Sequence, residues 1–480
     1  MSGFSTHPDH DFDVRVHDAL GNEELRESFH GAMHFLRDKR RSQFPDLDAL
    51  EALRDRGAAI RDRALARLPD LLEQLEKNCL RNGIQVHWAD TAEEANTLIT
   101  DLVRSIDGKR IVKGKSMATE EIGLNTAFEA AGFTCLESDM GEYIVQQAKE
   151  TPSHIIMPAI HRNKASIARQ FHEQIPETPY TEDVDELIGT GRRVLRRAFA
   201  EADVGISGVN FAVAETGTLC LVENEGNGRM STTVPEMHIA VMGIEKVIER
   251  LADLPDLLRL LTRSATGQAI TTYFNLISGP RKDNEIDGPR QVHLVLLDNG
   301  RSRIYADRQL RETLRCIRCG ACMNHCPVYE RLGGHAYGTV YPGPIGQVVM
   351  PQLFGLDRAG KLTQACSLNG ACGEACPVRI PLPDLIRRLR HEGVTHEAGS
   401  PVKGHGRQRK AGEALIWKAW SLIHRTPWLY SLTTRFATRG RRLLPPLPQA
   451  WTRHRAPLEP AEQSFREMMA RRGDSPGDQQ

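Results

Sequence analysis

The sequence predicts an α/β protein with a mainly parallel sheet, followed by a small cysteine-rich helical module and a basic helical tail. Three observations carry this. Between residues 83 and 310 short apolar runs alternate with amphipathic stretches, the pattern of βαβ units around a parallel sheet. Seven of the ten cysteines fall between Cys316 and Cys376. From residue 401 onward the chain carries 15 Lys or Arg against six Asp or Glu.

Taken in order, residues 1–82 read as an N-terminal helical segment, because HGAMHFLRDKRRSQFPDLDALEALRDRGAAIRDRALARLPDLLEQLEKN spaces its apolar residues at helical period. In the α/β domain, 83–310, the runs IQVHW, RIVKG, FTCLES and HIIMPAI are expected as strands. The stretches TAEEANTLITDLVRSI, TEEIGLNTAFEAAG and NKASIARQFHEQI are expected as helices between them. VGISGVNFAVAETGTLCLVEN, HIAVMGIEKVIERL and QVHLVLLDNG supply further strands. Residues 311–390 concentrate Cys, Gly and Pro and show little apolar periodicity, so a metal core is expected to replace a hydrophobic one there. The extension 391–480 is basic, and five prolines between Pro445 and Pro460 argue against a long helix in that stretch.

A chain of 480 residues and 53.6 kDa exceeds one ordinary core and implies two or three domains. Its 62 basic and 62 acidic residues leave no cationic surplus for a dedicated nucleic-acid binder. The N-terminal MSGFSTHPDHDFDVRV has neither a basic leader nor an apolar stretch, and no run approaches a bilayer span, so a cytoplasmic location is expected. Thiols stay reduced there, and clustered cysteines call for metal rather than disulfides.

The first motif, CIRCGACMNHCP, reads C-x2-C-x2-C-x3-C-P at Cys316, Cys319, Cys322, Cys326 and Pro327. This is the bacterial ferredoxin spacing for a [4Fe–4S] cube, in which a tight loop offers three thiolates to one cluster and the fourth cysteine serves the other. Gly320 supplies backbone freedom inside the loop. The second motif, CSLNGACGEACP, keeps the frame at Cys366, Cys372, Cys376 and Pro377, but Asn369 stands where the second cysteine belongs. Crossed ligation then assigns Cys316, Cys319, Cys322 and Cys376 to cluster one. Cys326, Cys366 and Cys372 fall to cluster two, one thiolate short. Three outcomes stand open for cluster two: a [3Fe–4S] form, a [4Fe–4S] cube with water or a side chain on the fourth iron, or a labile cluster. Structural zinc uses paired C-x2–4-C knuckles, a poor match to this doubled run. Cys79, Cys135 and Cys220 lie in apolar contexts and read as buried, inert thiols.

These motifs, with GGHAYGTVYPGPIG between them and VKGKSMATEEIGLN, ESDMGEYIVQ and GVNFAVAETGTLCLVENEGNGRMST upstream, resemble the lactate-utilisation iron–sulfur protein B family over roughly residues 60–390. The resemblance implies an electron-transfer subunit of a three-protein system oxidising L-lactate to pyruvate, with no flavin or nicotinamide of its own. It implies an α/β domain similar to the sugar-phosphate isomerase and CoA-transferase fold. The family usually has Cys at the position of Asn369, and this chain departs from it there. The alternative is a self-sufficient iron–sulfur enzyme whose α/β domain transforms a small organic acid or CoA ester.

For a small ligand the best stretch is the loop after a strand at Glu223, Asn224, Gly226, Asn227, Gly228 and Arg229. Its backbone N–H groups suit an anion, and Arg229 suits a carboxylate. An ordinary connecting loop is the plainer explanation. KGKS at Lys113–Ser116 lacks the glycine spacing of a phosphate loop, and helix capping by Ser116 or Thr119 explains it. No GxGxxG follows a strand, which leaves a dinucleotide site without support. His154, His161 and His238 read as structural, and Asp139, in ESDMGEYIVQ with Glu142 and Tyr143, as a helix cap. In the tail, Trp417, Trp420, Trp428 and Tyr430 among basic residues suit docking on a partner subunit, with peripheral membrane contact as the alternative.

Overall fold

Ten strands and the helices around them form the computed structural model, which describes residues 4, 7–395, 399–441 and 461–473. Six strands make one wholly parallel sheet: β1 (Gln85–Ala89), β2 (Arg110–Lys113), β3 (Thr134–Glu137), β4 (Val204–Gly208), β7 (Met237–Gly243) and β10 (Gln291–Leu297), in the spatial order β1-β10-β7-β4-β2-β3. β7 and β4 occupy the centre, and every residue of β7 is buried. Covered faces favour such unbroken apolar strands over alternating ones.

The long strand-rich stretch after β4 builds a second sheet from β5 (Phe211–Val213), β6 (Thr218–Glu223), β8 (Val247–Ile248) and β9 (Tyr273–Ile277), ordered β8-β5-β6-β9. β9, within TTYFNLISG, is a strand the apolar runs did not announce.

HIIMPAI is not a strand. His154 Nδ1 accepts from the backbone N–H groups of Ile156 and Met157 at 3.0 and 3.1 Å, so the donors a ladder needs turn inward. Pro158 has no N–H to give, and its carbonyl accepts from Ser153 N at 3.0 Å. The segment is a folded loop whose Ile155 enters the main core.

The N-terminal segment is helical over Phe12–Gly21, Glu23–Gln43, Leu47–Ala66 and Leu68–Arg81. Asn22 and Asp46 cap the second and third of these by accepting from Leu25 N and Ala49 N, each at 3.0 Å. The Leu47–Ala66 helix buries Leu50, Leu53, Gly57, Ile60 and Ala64 at helical spacing, and with them Arg54 and Arg61.

The cysteine-rich block is built on a hydrophobic core, contrary to expectation, and that core is continuous with the one under the N-terminal helices and the sheets. The helix Gly343–Phe354 is buried from Gly343 through Gln352, and Tyr329, Tyr337, Met350 and Leu362 are inaccessible. Surrounded on all sides, GPIGQVVMPQLF has no polar face, and amphipathic period is therefore no guide to it.

The chain divides into units 1–408 and 409–480. Residues leading up to 408 belong to the first: Gln408 Nε2 donates to Leu356 O at 2.9 Å and to Asp9 Oδ2 at 3.0 Å. The second contains helices Ala411–Arg425, Pro427–Arg439 and Phe465–Gly473. The stretch Pro445–Pro460 lies outside the described residues. Among the described residues no helix is long and apolar enough to cross a membrane.

Candidate metal centre and the cavity beside it

The two cysteine motifs fold as copies of each other. In each, the second residue after the first cysteine has a left-handed backbone, Arg318 at φ 59° and Leu368 at φ 58°, and the fourth is a left-handed glycine, Gly320 at 75° and Gly370 at 90°. A short helix follows in each, Ala321–Asn324 and Ala371–Ala375. Backbone N–H groups point at sulfur: Arg318 N to Cys316 Sγ at 3.4 Å, Leu368 N to Cys366 Sγ at 3.3 Å, Tyr329 N to Cys326 Sγ at 3.4 Å and Ile380 N to Cys376 Sγ at 3.3 Å. Such bonds favour thiolate over thiol and tune a bound metal.

Burial raises the Cys319, Cys322, Cys326, Cys372 and Cys376 thiols above their ordinary range. The Cys319 and Cys372 thiols are pushed up to about 12, by burial first and then by neighbouring sulfurs, Cys376 and Cys316 for the one, Cys326 and Cys366 for the other. No three of the cysteine sulfurs lie within 4.8 Å of one another. Four sulfurs on one zinc ion, at bonds of about 2.3 Å, would sit about 3.8 Å apart. The donor set is therefore spaced for something larger than a single ion, and it fits iron–sulfur clusters.

The copies differ in cover. Cys319 is buried, and a Cβ on Gly320 would meet Ile156 Cγ1 at 3.2 Å and His154 Cε1 at 3.4 Å, so the loop His154–Ile156 lies over the first motif. At the matching place in the second motif Asn369 is exposed, and a Cβ on Gly370 would meet nothing within 4 Å.

Cations converge on the first motif and on the end of the second that faces it. Arg54 donates from Nε to Cys376 O at 3.0 Å and from Nη2 to Gly373 O at 3.2 Å. Arg40 Nη2 reaches Ala375 O at 3.3 Å, and Lys246 Nζ reaches Cys316 O at 3.3 Å. Arg61, 1 % exposed, bonds Leu314 O at 3.0 Å, Val247 O at 2.9 Å and the Glu245 carbonyl, stitching the N-terminal helix to the sheets and to the approach of Cys316. On the Cys366 side Arg390 Nη2 donates to Cys366 O at 2.7 Å.

A cavity of about 380 Å³ opens where the parallel strands end. Gly114, Gly208 and Gly243 at or just after the ends of β2, β4 and β7 line it, with Lys115, Lys246 and Arg318. Ligands of open α/β sheets bind in this position, at the carboxyl ends of the strands. Arg318 belongs to the first cysteine loop, so the cavity wall and the metal loop share a residue. Its guanidinium lies over the Tyr341 ring at 4.4 Å and 3.5 Å from Glu245 Oε1. Arg301 bridges Glu245 at 2.6 Å and Glu121 at 2.8 Å, and Tyr341 OH donates to Glu121 Oε2 at 2.7 Å. Burial and Arg318 together push Lys246 down to about 7.

Residues 72–297 match the LUD domain family, 312–380 the 4Fe-4S dicluster domain, and 388–474 the C-terminal region of lactate utilisation protein B. Lactate utilization protein B of Bacillus velezensis is 44% identical over 427 residues, 89% of this chain and 87% of that protein. The chain belongs to the lactate utilization protein B family. The Bacillus subtilis member is 42% identical over the same length. A protein of Escherichia coli named as the uncharacterized electron transport protein YkgF is 44% identical over 404 residues, 83% of each chain. A crystal structure of a DUF162 family protein from Deinococcus radiodurans aligns with 48% of this chain and 98% of that one, at 14% identity and a TM-score of 0.27.

As a member of this family the chain is a lactate-utilisation iron–sulfur protein, and its sequence-derived ligand loop takes on a specific shape. Glu223, Asn224 and Gly228 line the cavity, whereas Arg229 is exposed and outside its lining. The loop's N–H groups are occupied by its own carboxylate: Gly228 N donates to Glu223 Oε2 at 2.7 Å and Arg229 N to Glu223 Oε1 at 2.6 Å. Gly226, at φ 81°, makes the turn that permits this.

The structural readings of the histidines fit their surroundings. His154 Nε2 meets Asn324 Oδ1 at 2.9 Å, His161 meets Glu150 at 2.8 Å, and His238 meets Ser207 Oγ at 2.8 Å. Burial lowers His154 to about 4 and His238 to about 3, keeping both neutral. Ser116 and Asp139 cap their helices through Thr119 N and Glu142 N. Cys79 and Cys220 are inaccessible thiols pushed up to about 12 by burial.

Arg54, Arg61 and Lys246 were not singled out in the sequence. Nor was a buried charge cluster in which Lys113 Nζ lies 2.8 Å from both Glu120 and Glu137, beside Glu142. Burial first, and Glu137 second, hold the Glu142 carboxyl well above the ordinary carboxylate range.

Proposed function

We propose that this chain is the iron–sulfur electron-transfer subunit of a system that oxidises L-lactate to pyruvate. The observation that carries the reading is the pairing of two like-folded cysteine loops, one covered and surrounded by cations, the other open at Asn369. Cys316, Cys319, Cys322 and Cys376 would hold a [4Fe–4S] cluster, and Cys326, Cys366 and Cys372 a second, [4Fe–4S] or [3Fe–4S]. Such clusters, when bound, supply one-electron storage. The protein's part is to bury the first set, donate N–H bonds to sulfur, and leave the Asn369 corner open to water or a partner's group. Partners are the other subunits of the lactate-utilisation system, with an electron donor and an acceptor among them, in the cytoplasm. The exposed aromatic and basic helices of unit 409–480 suit docking on one of these, or peripheral contact with a membrane. The parallel sheet with its cavity at the strand ends is in keeping with a sugar-phosphate isomerase or CoA-transferase type of fold.

A second reading has one observation in its favour. The cavity touches the first cysteine loop through Arg318, which suits an enzyme that binds an organic acid or CoA ester beside its own cluster. A lactate-plus-dye assay on the purified chain separates the two. The electron-transfer reading expects turnover only with the partner subunits, and turnover by the chain alone would select the second.

A further inference from the structure

The helix Glu23–Gln43 carries His30 and His34 one turn apart, in the sequence HGAMH, and faces the helix Pro327–Leu332 that begins directly after Cys326. His30 Nδ1 lies 2.6 Å from Glu330 Oε1, and His34 Nε2 lies 3.6 Å from the same oxygen. All three ligand-type atoms fall within 4.8 Å of one another. Two imidazoles at i and i+4 plus a carboxylate from a second element form a known donor set for zinc, with further positions left for water.

The set is held in place by neighbours that do not depend on a metal. Phe29, next to His30, packs edge-on against Tyr329, next to Glu330, with ring centroids 5.6 Å apart, and both rings are inaccessible. Arg37 Nη1 donates to Glu330 Oε2 at 2.7 Å and to Asn324 O at 3.2 Å. The second carboxylate oxygen is thus fixed from behind while Oε1 faces the histidines. Supporting contacts of this kind orient a ligand and sharpen metal affinity. The imidazoles are open to solvent, His30 at 64% and His34 at 53%, so an ion can enter without unfolding anything.

We propose that His30, His34 and Glu330 bind a divalent ion of the zinc class, distinct from the cysteine centre. Imidazole with one carboxylate favours zinc, nickel or copper over magnesium or calcium, which prefer all-oxygen sites. The ion would clamp the N-terminal helix to the helix that leaves Cys326.

The test is zinc titration of the full, cluster-loaded chain by calorimetry, with iron and zinc counted before and after. The native chain is expected to take one zinc without losing iron. His30→Ala/His34→Ala is expected to lose this zinc, and Glu330→Gln to weaken it at least about tenfold. His34→Gln, a single exposed change, guards against misfolding of the double variant and is expected to show the same loss with iron content intact. Equal zinc uptake by the native chain and by His34→Gln, or no uptake by the native chain at about 100 µM free zinc, would overturn the proposal.

Discussion

Arg54 Nε donates to the carbonyl oxygen of Cys376 at 3.0 Å, so a residue of the N-terminal helices is hydrogen-bonded to the last cysteine of the second motif. Arg54 is 6% exposed, and its charge sits in a medium where it acts strongly on any nearby metal. A fixed cation stabilises the reduced, more negative state. Arg54→Met is therefore expected to lower the reduction potential of the cluster held by the Cys376 set by about 60 mV, a tenfold change in a one-electron equilibrium. Arg54→Lys is expected to recover much of it. A redox titration followed by paramagnetic resonance measures both, and an unchanged potential in Arg54→Met would detach the cation from the cluster.

Asn369 occupies the place that Cys319 holds in the first motif, on a backbone of the same form. Asn369→Cys is expected to complete the second set, raise iron and sulfide to eight each per chain, and remove any oxidised signal near g of about 2. A variant that gains no iron, while the native chain already holds eight, would show the open corner to be filled without a thiolate.

Arg61 tests the junction of the N-terminal helices with the rest of the first unit. Its guanidinium serves the carbonyls of Leu314, Val247 and Glu245 from a fully buried position. Burial lowers it only to about 10, so it stays charged at neutral pH. Arg61→Met leaves these carbonyls without a donor and is expected to cost about 3–5 kcal/mol, read from the urea midpoint.

Glu142 gives the pH dependence a sign. Its carboxyl titrates well above the ordinary range in the folded chain, so between about pH 4.5 and that higher value the folded state holds a proton the unfolded state has released. Stability from this group falls as pH rises through that window. Glu142→Gln mimics the protonated form and is expected to stabilise the chain at pH 8, with little effect at pH 4. Urea unfolding at both values checks it, and parallel stability profiles for the two proteins would contradict it.

The parallel sheet was legible because β2, β4, β7 and β10 hold apolar runs, with amphipathic helices such as Ala92–Ser105 and Val184–Glu201 elsewhere between the strands. HIIMPAI is similarly apolar, and the bonds of His154 with two backbone N–H groups and of Ser153 N with Pro158 O fold it into a loop instead of a strand. The two matching cysteine loops were legible from spacing alone, since tight turns impose it. The cations around them were not. In LEALRDRGAAIRDRALA, Arg54 and Arg61 read as a solvated helix face, and only the packing of Gly57 against Pro377 and Leu260 shows that this face is interior. Glu223 closing on its own loop is likewise a tertiary choice, invisible in ENEGNGR.

The most direct test of the central claim is paramagnetic resonance of the cluster-loaded chain after anaerobic addition of L-lactate, with and without the partner subunits. The account predicts cluster reduction only when the partners are present. Clusters that stay oxidised in the full assembly, or that are reduced by lactate in the isolated chain, would contradict it.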